Sequence, residues 1–282
     1  MRETEIENLR GAPFTRAVLV IAQHHELLRQ LGLDTMDGVK RFNGELIKNH
    51  KGRRDIFRIP AGSATKGTAG PPLVLFLKRN WQPYKKDGLH SLLTRGAVWS
   101  QSRVEWENSL ALQRAGLTVA EPVAFGEECA PLWEKFSFII TAAARGEQTL
   151  DDFLRTNPTR AERRWVLDAL ALEVRRLHDA GLASPDLFTR HIFLAAGSEP
   201  KFCLIDMARL DRQQPLGLKL RARDLAALHV TAPRRFVSAR ERLRFVAKYG
   251  GDGELVRLVQ QRTQHLLQRK KFADFSAPGA PA

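Results

Sequence analysis

The sequence predicts an α+β chain in two parts, a small β-rich first part with one key helix and a mainly helical second part. Three observations predict it. Short apolar runs bounded by turn residues mark the first half, at 73–78 and 136–141, and runs of that length read as buried strands. The second half carries a helical apolar period in Val166, Leu170, Val174 and Leu177. Between them lies a stretch of small residues at 142–146, which reads as a hinge. The implied organisation is an accessory segment over 1–37, a first lobe over 38–141, a second lobe over 142–269 and a disordered tail over 270–282. A chain of 282 residues suits two lobes.

Taken in order, residues 17–31 read as an amphipathic helix closed by Gly32. Strands at 45–49 and 55–59 flank a basic turn, His50-Lys51-Gly52-Arg53-Arg54. The run 73–78 is a buried strand ending in Lys78, and 79–100 reads as irregular and basic, with Trp81, Tyr84 and Trp99. A helix over 102–115 carries Glu105 and Glu107 and stops at Gly116. The long helix opens with Asn157 as N-cap and Pro158 at its first position. Trp165, Ala169 and Leu172 widen its apolar face, and Gly181 ends it. Two short apolar segments follow, 184–194 and 202–210, carrying Asp186 and Asp206. Basic helices with Asp224 near their start complete the chain.

The bulk numbers narrow the function classes. A hydrophobic content of 43% supports a folded core. No apolar run approaches the roughly 20 residues that span a bilayer, and the first residues lack a signal-peptide pattern. Cys129 and Cys203 make neither a metal spacing nor a disulfide framework. A cytoplasmic protein is expected. The net charge of +14 implies an anionic partner, whether nucleic acid, an acidic leaflet or a phosphorylated substrate.

The candidate chemistry lies in two carboxylates and a cation. Asp186 and Asp206, on either side of a hairpin, can converge to hold a divalent cation and orient a hydroxyl, as phosphoryl transfer requires. Lys78 on a strand, followed by a helix carrying Glu105 and Glu107, can form an ion pair like the one that orients nucleotide phosphates in protein kinases.

In this order the motifs resemble those of kinase-fold enzymes. Leu177-His178-Asp179-Ala180-Gly181-Leu182 with Ser184-Pro185-Asp186 is similar to the end of the long helix and the catalytic loop, and Leu204-Ile205-Asp206-Met207-Ala208 to the metal-binding strand. A narrower resemblance is to the lipopolysaccharide core kinases, the Kdo/heptose kinase family. It rests on Arg190-His191-Ile192-Phe193-Leu194, on Glu105-Trp106 and on Arg223-Asp224-Leu225. The resemblance implies a protein-kinase-like two-lobed fold that uses ATP and Mg²⁺. Lys78, held by Glu105, would bind the phosphates under a turn containing Gly52. Asp206 would hold the metal and Asp186 the acceptor hydroxyl. His191 would be a second metal ligand or a hydrogen-bond partner of Asp186, Asp206 or a phosphate; packing at a strand start is its plain alternative.

The short segment from Asp206 to Asp224 argues for a sugar or other small acceptor rather than a peptide. The implied partner is an anionic glycolipid or sugar, with peripheral contact at the inner face of the cytoplasmic membrane. The basic stretch 79–95, with Trp81 and Tyr84, is expected beside the acceptor, where aromatic faces suit sugars. No nucleic-acid signature is present. Ser184 stands where kinases have histidine, and a G-x-G-x-x-G loop is missing. Alternatives are therefore a kinase acting on a protein or another small alcohol, and a nucleotide-free binding or scaffold module.

Overall fold

The computed structural model describes residues 15–62, 73–81, 91, 96–146, 148–195 and 197–269. The chain divides into two compact units. The first comprises Met1–Leu110 and Ala120–Ala143, the second Ala111–Val119 and Ala144–Ala282.

The first unit is built on an antiparallel sheet ordered β1-β5-β6-β4-β3-β2. Its strands are β1 (Thr15–Val20), β2 (Glu45–His50), β3 (Arg54–Pro60), β4 (Val74–Trp81), β5 (Pro122–Cys129) and β6 (Glu134–Ala142). Two short helices, α1 (His25–Gln30) and α2 (Met36–Arg41), supply Leu28, Met36 and Val39 to a core shared with Leu75 and Leu77 of β4 and Phe57 and Ile59 of β3. The helix α3 (Gln101–Arg114) passes from the first unit into the second.

Two expectations for this unit are corrected. Residues 17–31 are not one helix: β1 pairs with β5 from Thr15↔Cys129 to Val20↔Ala124, and α1 begins only at His25. The run Val18-Leu19-Val20-Ile21 is apolar on consecutive residues and rich in β-branched side chains, so a sheet edge suits it better than a helix. Within the segment expected as an accessory piece, Thr15–Val20 supplies one end of the sheet order.

The second correction concerns Arg79 and Trp81. Both lie in β4 rather than in an irregular basic loop. Arg79 is 6% exposed. Its Nε and Nη2 donate to Asp55 at 2.7 and 2.9 Å, across the β3–β4 register that pairs the two residues. Its Nη1 donates to the carbonyls of Val39, Lys40 and Phe42 at the end of α2, where helix carbonyls are left unpaired. Trp81 Nε1 donates to the same Asp55 at 3.0 Å. Arg79 is therefore spent on joining sheet to helix, and Trp81 on the carboxylate of the neighbouring strand. Tyr84 and Arg95 lie outside the described residues.

The second unit is mainly helical. It contains α4 (Leu150–Arg155), α5 (Arg160–Asp179), α6 (Leu218–Thr231), α7 (Ala239–Tyr249) and α8 (Gly253–Leu267). Short strands accompany them, β7 (Gln148–Thr149) before α4, and β8 (Leu182–Ala183), β9 (Ile192–Ala195), β10 (Lys201–Leu204) and β11 (Asp211–Arg212) between α5 and α6. Val166, Leu170, Val174 and Leu177 of α5 are buried in one core with Leu225, Leu228 and Leu255. Trp165 and Leu172, expected to widen that face, are about half exposed at 47% and 48%. The cap of α5 is Thr159, not Asn157. Thr159 Oγ1 accepts from Glu162 N, and the Glu162 carboxylate returns to Thr159 N, a capping box. Asn157, at φ +54°, belongs to the turn before it.

Candidate active-site residues in the two units

The period of two along β4 sets the first group. Leu75, Leu77 and Arg79 face the α1–α2 core, so Phe76, Lys78 and Asn80 face the other way. Helix α3 receives that face. Lys78 Nζ donates to both carboxylate oxygens of Glu105, at 2.8 and 3.0 Å. Asn80 Nδ2 donates to Ser102 Oγ at 3.1 Å and to Ser137 Oγ of β6 at 3.2 Å. Residues 102 and 105 are three apart and share one helix face, so a two-residue step on the strand meets a three-residue step on the helix. Trp106, 4% exposed, packs on Phe125 at 5.1 Å between ring centroids, and that contact sets the roll of α3. Both partners of the Lys78–Glu105 pair are largely buried.

Gly52 lies at the tip of the β2–β3 hairpin with φ +73°, a conformation that favours glycine. Its N–H donates to Asn49 Oδ1 at 2.9 Å. It stands two residues ahead of β3 and four ahead of Ile56, which is registered with Lys78.

The second group is held by β8, β9 and α6. Asp224, fully buried in α6, accepts from Ser184 N at 2.5 Å through Oδ2. Arg223 Nε donates to its Oδ1 at 2.9 Å. His178, at the end of α5 and also fully buried, sets Nε2 3.3 Å from Asp224 Oδ2 and Nδ1 2.9 Å from the Tyr249 hydroxyl. Ser184 Oγ in turn accepts from Asp186 N at 3.3 Å. This buried chain fixes the backbone leading into Asp186.

His191 follows in a short turn before β9. Its Nδ1 lies 2.8 Å from the Asp186 carbonyl oxygen, and Arg190 Nε donates to its Nε2 at 3.2 Å. These contacts describe a neutral imidazole that donates through Nδ1. Burial holds its pKa below the usual histidine value, against the raising effect of the Asp186 carbonyl. Nε2 lies 4.0 Å from Asp206 Oδ2. Asp206 follows β10 and adopts φ +55°, a backbone region L-residues seldom take. Its side chain is about half exposed. Asp186 and Asp206 thus flank one histidine.

Sequence reading missed two features. Asn80, Ser102 and Ser137 form a buried polar knot with no motif to mark it. Arg209, three residues after Asp206, donates through Nε to Asp186 Oδ2 at 2.6 Å and through Nη2 to Asp186 Oδ1. One of many arginines in a basic chain, it carries no signal of its own.

A solved structure described as WaaP in complex with acyl carrier protein superposes with a TM-score of 0.65 at 21% identity, covering 89% of this chain and 99% of that one. The two share a fold, mixed α+β with a sheet-built first unit and a mainly helical second one. The model of the lipopolysaccharide kinase (Kdo/WaaP) family matches residues 39–249, most of the chain, and the protein belongs to that family. It is therefore a kinase, and a kinase uses ATP. Among curated proteins it is similar to the lipopolysaccharide core heptose(I) kinase WaaP of Pseudomonas aeruginosa, at 23% identity over 85% of this chain and 92% of the relative. It is also similar to the enzyme of that name from Escherichia coli K12, at 26% identity over 78% and 83%. Among the described residues, no helix is long and apolar enough to cross a membrane.

Proposed function

We propose that this kinase transfers the γ-phosphoryl group of ATP to a heptose hydroxyl of the lipopolysaccharide inner core. The observation that carries the reading is the match to heptose(I) kinases along most of their length. In this reading the β-rich unit handles the nucleotide. Lys78 binds its phosphates and Glu105 keeps the ammonium in place. The turn at Gly52, with Lys51 and Arg53 beside it, is assigned to the same phosphates.

In the helical unit, Asp186 orients the acceptor hydroxyl and takes its proton as the new P–O bond forms. Asp206 would hold Mg²⁺. Its half-exposed carboxylate offers the hard oxygen donor that Mg²⁺ prefers, and Mg²⁺ in nucleotide sites is held by one or two carboxylates plus phosphates and water. The ion supplies neutralisation of phosphate charge. Its donor chemistry disfavours a neutral imidazole already accepting from Arg190, so His191 is assigned as a positioning group for the Asp186 backbone.

The acceptor is anionic, which makes the charge of +14 intelligible and favours a peripheral position at the cytoplasmic leaflet. The solved relative bound to acyl carrier protein makes that protein a second partner to test by co-purification. The main test is mass spectrometry of deacylated core incubated with ATP, Mg²⁺ and the purified chain. A gain of one phosphate that Asp186→Ala abolishes is expected. Undiminished transfer by that variant would sink the assignment of Asp186, and no transfer by the unaltered protein would sink the acceptor.

A further inference from the structure

The β8–β11 ladder pairs Ala183 with Asp211 and Leu182 with Arg212. Arg209 lies two residues before β11 and Asp186 three residues after β8, so both stand at the same end of this antiparallel ladder. There the guanidinium forks across both oxygens of the carboxylate. The two partners differ in exposure. The Asp186 side chain is 14% exposed and that of Arg209 is 63% exposed. A carboxylate held by a two-pronged guanidinium has lost the lone pairs best placed for an incoming hydroxyl. Yet an ion pair whose cation sits mostly in water is weak in net terms, because solvent and side-chain entropy offset most of its attraction. The contact therefore occupies Asp186 firmly in geometry and loosely in free energy. The Asp206 and Asp211 charges also act on the same guanidinium, so it stands among carboxylates with which an anionic ligand can compete.

We propose that Arg209 is a substrate-gated latch: it covers Asp186 until the carboxylate or phosphate of an anionic sugar acceptor takes over its guanidinium and frees Asp186 to meet the acceptor hydroxyl. The inference rests on Asp186 being the hydroxyl-orienting group proposed above. A guanidinium fork fits carboxylate and phosphate equally well, whereas a neutral sugar offers it nothing. The latch thus sets acceptor specificity and restrains hydrolysis. When the acceptor is seated, the bond from the γ-phosphorus to the ADP oxygen breaks, a bond to the acceptor oxygen forms, and the hydroxyl proton passes to Asp186. Without an acceptor, water takes its place and inorganic phosphate results; the latch suppresses this loss by keeping Asp186 occupied.

The test uses the full chain, ATP and Mg²⁺, with two acceptors: deacylated lipopolysaccharide core, which is anionic, and free heptose, which is neutral. Both are compared in the unaltered protein, Arg209→Ala and Arg209→Lys. Arg209→Ala is expected to raise acceptor-independent ATP hydrolysis several-fold and to lower the kcat/KM preference for core over heptose by about tenfold, mainly through KM for core. Arg209→Lys keeps the charge but not the fork and should fall between. The exposed side chain predicts an unchanged melting temperature, which separates the effect from misfolding. If Arg209→Ala leaves the core-to-heptose preference intact, or lowers transfer to both equally without added hydrolysis, the latch is overturned while the kinase reading stands. If the unaltered protein transfers phosphate to neither acceptor and its ATP turnover ignores Asp186→Ala, both fall together.

Discussion

Asp224 Oδ2 and the backbone N–H of Ser184 meet at 2.5 Å with neither residue exposed to solvent. A buried carboxylate is tolerable only when its oxygens are engaged, and here Ser184 N, Arg223 and His178 engage them. Asp224→Ala removes the acceptor and leaves Ser184 N and His178 buried without it, while Arg223 keeps Asp211. It should cost about 3–5 kcal/mol, the usual range for breaking a buried charged cluster. Urea denaturation of the unaltered and variant proteins checks this. A loss under about 1 kcal/mol would show that the loop is held by other contacts.

Ser184 stands where the resemblance to kinases places histidine. The Asp224 carboxylate that accepts from its N–H is also reached by His178, from the end of α5, which meets Tyr249 as well. Ser184 has no exposed surface. Restoring the common residue with Ser184→His should therefore overfill the site and destabilise the protein by about 1–3 kcal/mol. Ser184→Ala removes only the acceptor for Asp186 N and should cost about 1 kcal/mol. A histidine variant with equal or higher melting temperature would contradict this account.

The Lys78–Glu105 pair makes a matched prediction in the other unit. Lys78→Met should weaken nucleotide binding and leave the Glu105 carboxylate without the cation that engages both its oxygens. Glu105→Gln keeps an acceptor for the ammonium and should lower transfer less. Removing one partner of a largely buried pair costs about 3–5 kcal/mol in total, shared between stability and binding. Thermal melting with and without ATP separates the two shares. Equal melting shifts on adding ATP in the unaltered protein and Lys78→Met would remove Lys78 from the nucleotide site.

Legibility in the sequence followed how local the cause was. Lys78 could be picked out because it ends a short apolar run, and the α5 face because its apolar residues keep a helical period; Glu105 is separated from Glu107 only by the resemblance of Glu105-Trp106 to the family's pair. The strand at Thr15–Val20 could not. A short continuous apolar run fits a buried strand or a helix equally well, and the choice was made by β5, about a hundred residues downstream. The basic and aromatic character of Arg79 and Trp81 suggested a ligand surface, but Asp55, registered across the sheet, draws both into a buried tie. Arg209 depends on the two-residue β8–β11 ladder, which leaves no pattern in composition or spacing.

The two units should also respond to pH in opposite directions. In the β-rich unit, burial pushes the Glu134 carboxyl from 4.5 up to about 7, with the nearby Glu127 charge adding to the rise and Arg54 and the Gln101 N–H opposing it. Between these values the folded protein binds more protons than the unfolded chain, so raising the pH from 4.5 through 7 removes stability. In the helical unit, burial, with the Arg242 and Arg234 charges, lowers His229 from 6.5 to about 4. There the unfolded chain binds the extra proton, so stability is complete above 6.5 and is lost as the pH falls toward 4. Hydrogen exchange followed across this range should show the sheet amides loosening toward alkaline pH and the α6–α7 amides toward acid. Glu134→Gln should flatten the first dependence, retaining an oxygen for the Gln101 N–H, and leave the second unchanged. An alkaline loss of protection in the sheet that persists in Glu134→Gln would assign it to another group.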